Sequence, residues 1–145
     1  MSSETPVRCS AVVESISSAV SPLRESVLSS LKDHNFGEGE IFAVHLALEE
    51  AFVNAVKHGN KMDPAKEVRI ECLVETDKVT VSVTDEGNGF DPESIPDPRY
   101  GVNLYKPEGR GLFLMRSYMD EVEFNERGNS VCMVKYKEKA CPGKN

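Results

Sequence analysis

The chain has 145 residues, 39% hydrophobic and 28% charged, with a formal net charge of −7. That length and mixture predict one folded domain, from residue 7 to 137 between polar tails 1–6 and 138–145, and exclude a disordered chain. The negative balance excludes a general binder of nucleic acid or acidic membranes, since phosphate contacts call for a basic surface, and with no membrane-length apolar run and no signal-peptide pattern in Met1 to Pro6 the expected location is the cytoplasm.

Val7 to Val13 has strand-like character. Ser21-Pro22 then offers a helix start, with Ser21 as cap and Pro22 at the first helical position. Val20, Leu23, Val27 and Leu31 recur at helical spacing and predict one buried stripe. Asn35-Phe36-Gly37-Glu38-Gly39 breaks that pattern, and a second helix is predicted over about Glu40 to His58, closed by Gly59. Lys66 to Thr76 and Lys78 to Thr84 read as a hairpin turning near Thr76-Asp77. Asp91 to Glu108 is proline-rich and aperiodic, a long segment of the kind retained as a functional loop or lid. Helical periodicity returns over Gly111 to Met119, and Glu121 to Asn125 with Val131 to Tyr136 flank a turn at Arg127-Gly128-Asn129. Cys9, Cys72, Cys132 and Cys141 contain no C-x-x-C pair. Reduced, buried thiols are therefore expected, with neither zinc nor a disulfide framework.

Three groups of residues could carry chemistry. On the second helix, Ile41, Val44, Leu48, Phe52 and Ala55 share one side, while Glu50 and Asn54 fall opposite among Ala43, Leu46, Ala47 and Val53. The helix is thus apolar nearly all round, which predicts that Glu50 and Asn54 are partly buried. Their i, i+4 spacing stacks them one turn apart, with Lys57 on nearly the same face. A carboxylate, an amide oxygen and an ammonium can hold hydrated Mg²⁺ and a polyphosphate; the plainer alternative is a Glu50–Lys57 salt bridge on a solvated edge. Glu49 points about 100° away and is the weaker candidate. Asp85 closes the second strand of the hairpin, followed by Gly87 and Gly89. Glycines there admit a flat ligand, and an aspartate can accept from an exocyclic amine, although an acidic turn after a strand has the same pattern. Gly109-Arg110-Gly111 precedes the third helix, where backbone amides can bind an anion or glycine can simply connect. His34, His45 and His58 read as packing or capping residues.

In order, E-x-x-x-N-A-x-K-H-G from Glu50, D-x-G-x-G-F from Asp85 and G-x-G-L-x-L-M from Gly109 resemble the N, G1 and G2 boxes of the GHKL superfamily of gyrase, Hsp90, histidine kinases and MutL. Over about Val7 to Lys137 the chain is similar to the serine-kinase anti-sigma factors of RsbW type. The resemblance implies an α+β two-layer sandwich, the Bergerat ATP-binding fold, with a mixed, mainly antiparallel sheet and helices on one face. It implies ATP and Mg²⁺ as cofactors: Glu50 as general base, Asn54 as metal ligand, Lys57 facing phosphate, Asp85 reading the adenine amine, and Gly87, Gly89, Gly109 and Gly111 shaping pocket and lid. Pro107 and Glu108 stand where relatives can carry an arginine, leaving Lys106 or Arg110 as its substitute. The implied activity is phosphorylation of a serine or threonine on a STAS-domain anti-anti-sigma protein, with a sigma factor as further partner and homodimer formation left open. A nucleotide-gated module that sequesters a regulator without phosphorylating it needs the same pocket. Histidine kinases proper are disfavoured for want of a phosphoacceptor helix pair, and a gyrase-type ATPase for want of a transducer domain.

Overall fold

The computed structural model describes residues 5–61, 63, 65–87 and 107–138. Strand β1 (Val7–Glu14) leads through a 3₁₀ turn (Ser17–Val20) into α1 (Ser21–Asp33) and α2 (Glu38–Asn54), and α2 runs on without a break into one π turn (Ala55–Gly59). The hairpin β2 (Glu67–Val74) and β3 (Lys78–Asp85) follows; α3 (Pro107–Tyr118), β4 (Glu121–Phe124) and β5 (Ser130–Tyr136) complete the described chain. Five strands form one sheet in the order β1-β2-β3-β5-β4, and every pairing among them is antiparallel.

Alternation along the strands sorts the sheet into two faces. Val68, Ile70, Cys72 and Val74 of β2, Val79, Val81 and Val83 of β3, and Val131 and Met133 of β5 are buried in one core with Val20, Leu23, Val27 and Leu31 of the predicted stripe. The intervening positions, such as Arg69, Glu71, Thr80, Ser82 and Thr84, lie less buried on the other side. This is the two-layer α+β arrangement expected, with helices on one face. Burial next to Cys9, its partner across β1 and β2, pushes the Cys72 thiol up to about 12. Cys9, Cys72 and Cys132 are all free, and Cys141 lies outside the described residues. No described helix is long and apolar enough to cross a membrane.

Helix ends account for the differences from the predicted boundaries. Ser21 is already helical because the 3₁₀ turn feeds directly into α1; the N-cap is Val20, and Ser21 Oγ instead accepts from Arg24 at 3.3 Å. At the other end Asn35 turns left-handed (φ 64°), while Phe36 N–H donates to Leu31 O and Asn35 N–H to Lys32 O, each at 3.0 Å. That pair of bonds is the Schellman closure, with Asn where glycine is usual. Helix α2 starts two residues before the expected Glu40, because Glu40 reaches back to accept the Gly37 N–H at 2.7 Å and so satisfies an orphan donor of the first turn. Its second oxygen accepts from Glu138 N–H, which ties the far end of β5 to the same turn. Helix α3 starts at Pro107, four residues upstream of the predicted Gly111, since proline presets the first helical φ. Pro107 and Glu108 are therefore helical instead of belonging to the loop; the rest of that predicted lid lies outside the described residues.

Candidate functional site

A narrow cleft of about 20 Å³, open at its mouth, lies where α2 and the π turn meet β3, α3 and the β4–β5 turn; Ala51, Asn54, Ala55, Gly59, Val83, Asp85, Met115 and Phe124 line it with residues 128–131. Ala51, Ala55 and Gly59 are small, so the helix backbone stays clear of the space above it. Asn54, the last α-helical residue, and Asp85, the last residue of β3, both turn half-buried polar side chains to the cleft. Residues 31 positions apart thus line one cleft.

The geometry around Asp85 is tight. A Cβ on Gly59 would sit 2.2 Å from the Asp85 carboxyl carbon, and a Cβ on Gly87 would sit 1.9 Å from the Gly59 carbonyl oxygen. Only glycine fits at either position: the carboxylate lies flush on the π turn, and the turn lies flush on the chain after β3. Gly87 N–H donates to Asp85 Oδ1 at 2.7 Å. From the β5 side, Asp85 N–H donates to Asn129 O at 2.9 Å and Asn129 Nδ2 donates back to Asp85 O at 3.2 Å. Arg127 reaches Gly87 O at 3.4 Å. Burial holds the Asp85 carboxyl above the usual aspartate range, against the opposing pull of the Gly87 N–H, Lys66 and Arg127.

The remaining predicted residues are placed as follows. Glu50 is half-buried one turn before Asn54, but it does not line the cleft. Among the described residues it has neither a hydrogen-bond nor an ion-pair partner, and no Glu50–Lys57 salt bridge forms; Lys57 is exposed on the π turn. Glu49 is bound to Arg24 of α1 at 2.5 Å, with His45 at 3.5 Å. Gly109, Arg110 and Gly111 lie within the first turns of α3 instead of ahead of it. Gly89 and Lys106 lie outside the described residues. His34 is the packing residue expected, 1% exposed, its ring nitrogens each 2.9 Å from a carbonyl oxygen, of Ser30 and of Thr5.

Sequence reasoning missed Asn60, Asn129 and the close-packing role of Gly59, whose sequence signal is that of a helix stop alone. Their partners are strands remote in sequence. The one local signal is an Asn directly after the helix-ending glycine, and that reads equally well as a turn.

The chemistry of the site suits the implied group in part. Asp85 keeps Oδ2 free of hydrogen bonds among the described residues, as an adenine reader would need. No cluster of three His, Cys, Asp or Glu able to hold a metal exists among the described residues. A single amide oxygen from Asn54 still suits Mg²⁺, which retains water and takes further ligands from phosphates.

Comparison with known proteins places this geometry. Residues 13–135 match the family model described as "Histidine kinase-like ATPase domain". The serine-protein kinase RsbW of Bacillus subtilis is 38% identical over 104 residues, which are 67% of this chain and 65% of that protein. The anti-sigma F factor of Oceanobacillus iheyensis is 32% identical over 108 residues, 70% of this chain and 73% of that protein. The chain therefore spans somewhat less than two thirds of the length of the kinase it resembles. A crystal structure of the RsbU and RsbW domains of Rv1364c from Mycobacterium tuberculosis shares the fold, with a TM-score of 0.61 at 16% identity, covering 94% of this chain and 34% of that one.

Proposed function

This chain belongs to the RsbW-type family of histidine kinase-like ATPase domains, and from that premise we propose that it is an ATP-dependent serine/threonine protein kinase and anti-sigma factor acting on a STAS-domain partner. The observation that carries the reading is the convergence of Asn54 and Asp85 on one cleft whose floor is kept clear by Ala51, Ala55 and Gly59. Asp85 Oδ2 accepts the exocyclic amine of adenine, and Gly87 and Gly89 let the base approach the backbone. Asn54 offers its amide oxygen to Mg²⁺, which when bound supplies charge neutralisation on the phosphoryl oxygens. Lys57 meets phosphate from the π turn, and Gly109, Arg110 and Gly111, with Lys106, are the further phosphate contacts.

Glu50 takes the proton of the attacking serine or threonine hydroxyl. Two neighbouring carboxylates are available on α2, and Arg24 binds Glu49 while Glu50 has no partner among the described residues. The likeness to a serine-protein kinase of Bacillus subtilis supports phosphoryl transfer, and the likeness to an anti-sigma F factor of Oceanobacillus iheyensis supports action on a sigma factor.

Incubation with γ-labelled ATP and a STAS-domain protein separates the two. Glu50→Gln keeps shape and removes the proton acceptor, so transfer should fall by about 10² to 10⁴ while ATP binding persists. Equal labelling by wild type and variant would overturn the role of Glu50. Absence of any transfer by the wild type, with ATP still bound, would leave the binding module.

A further inference from the structure

We propose that Asn60 is a positioning residue for base recognition, setting the Asp85 carboxylate through the peptide that follows it; this rests on the nucleotide reading above. Asn60 is wholly buried, and its side chain is fully used. Nδ2 donates to Ser15 Oγ at 2.6 Å and to Glu67 O at 3.0 Å, and Oδ1 accepts from Glu86 N–H at 2.8 Å. One amide thus gathers the end of β1, the start of β2 and the end of β3. Its own N–H closes the π turn on Ala55 O at 2.7 Å, so helix and strands are fixed to each other at this residue.

The Glu86 bond is the one that reaches the cleft. Glu86 follows Asp85 directly, and an N–H held by Asn60 sets the plane of the peptide between them. The next N–H, of Gly87, then points back at Asp85 Oδ1. With Oδ1 engaged and the main chain at Asp85 held from the β5 side by Asn129, the carboxylate has one orientation, and Oδ2 is the oxygen left for a base amine. Packing alone would be served by an apolar residue, since a buried amide gains little net stability over one; what the amide adds is directional.

The test compares ATP with inosine triphosphate, which carries an oxygen in place of the amine. A structural loss would weaken both nucleotides together, whereas mispositioning of Asp85 weakens ATP alone. Asn60→Ala should lower the ATP-to-ITP affinity ratio about tenfold. Ser15→Ala breaks only the bond to β1 and should leave the ratio unchanged at a similar cost in stability. Should the alanine variant not fold, Asn60→Ser, which refills part of the space but is too short to reach Glu86, is expected to show the same drop. A ratio equal to that of wild type in whichever of the two Asn60 variants folds, with the wild type preferring ATP, would overturn the role of Asn60 alone. Failure of the wild type to bind either nucleotide would instead overturn the nucleotide reading.

Discussion

At the scale of single residues the cleft trades stability for a poised charge. Burial raises the Asp85 carboxyl above its ordinary range, so the folded protein holds that proton more tightly than the unfolded chain. The stability tied to this group is fully present below the unfolded-state value and is lost as pH rises through the raised one. Ionised Asp85 at neutral pH is therefore a cost. Asp85→Asn preserves the acceptor for Gly87 N–H and removes the charge. Its thermal midpoint at pH 7 should equal or exceed that of wild type, the difference shrinking as the pH is lowered, while ATP affinity falls about tenfold or more. Thermal scans between pH 4 and 7 with calorimetry at pH 7 check both halves; a lower midpoint at neutral pH would contradict the cost assigned to the buried charge. Asp85 was legible because an acidic residue ending an alternating strand before Gly-x-Gly is a local pattern. Asn60 was not, because its partners Ser15, Glu67 and Glu86 are set by the sheet.

Among the elements, helix bodies were easier to read than helix ends. The stripe Val20, Leu23, Val27 and Leu31 announced α1 and is buried throughout. The closing Asn35 registered only as a break, although its left-handed φ of 64° is what turns the chain into α2. Glycine there should be neutral to slightly stabilising, and Asn35→Ala should cost about 1 kcal/mol because alanine lacks the short polar side chain that eases asparagine into that region, as urea midpoints would show. The π turn had no sequence signal, since apolar periodicity over five residues cannot separate it from one more α turn. Its widened loop brings Gly59 against Asp85 and Asn60 to the strand ends, in keeping with the occurrence of such turns at functional sites.

For the molecule as a whole, two hairpins were foreseen from strand-like runs around Thr76-Asp77 and Gly128, but not the order β1-β2-β3-β5-β4. Alternation identifies a strand's buried face and is silent about its neighbour. That order has a kinetic side. Val7 pairs with Val74, and Thr84 with Ser130, so much of the sheet is closed by partners distant along the chain, and the entropy of those closures precedes their reward. Strand β1 waits without its β2 partner until β2 exists, and the cleft cannot assemble before β5 and the turn preceding it arrive beside Asp85. A ligand seated there has nothing to hold until the last joins are made. Mg-ATP should accordingly slow unfolding and leave the refolding rate unchanged in stopped-flow experiments. Faster refolding with nucleotide would mean that the cleft is already built in the transition state.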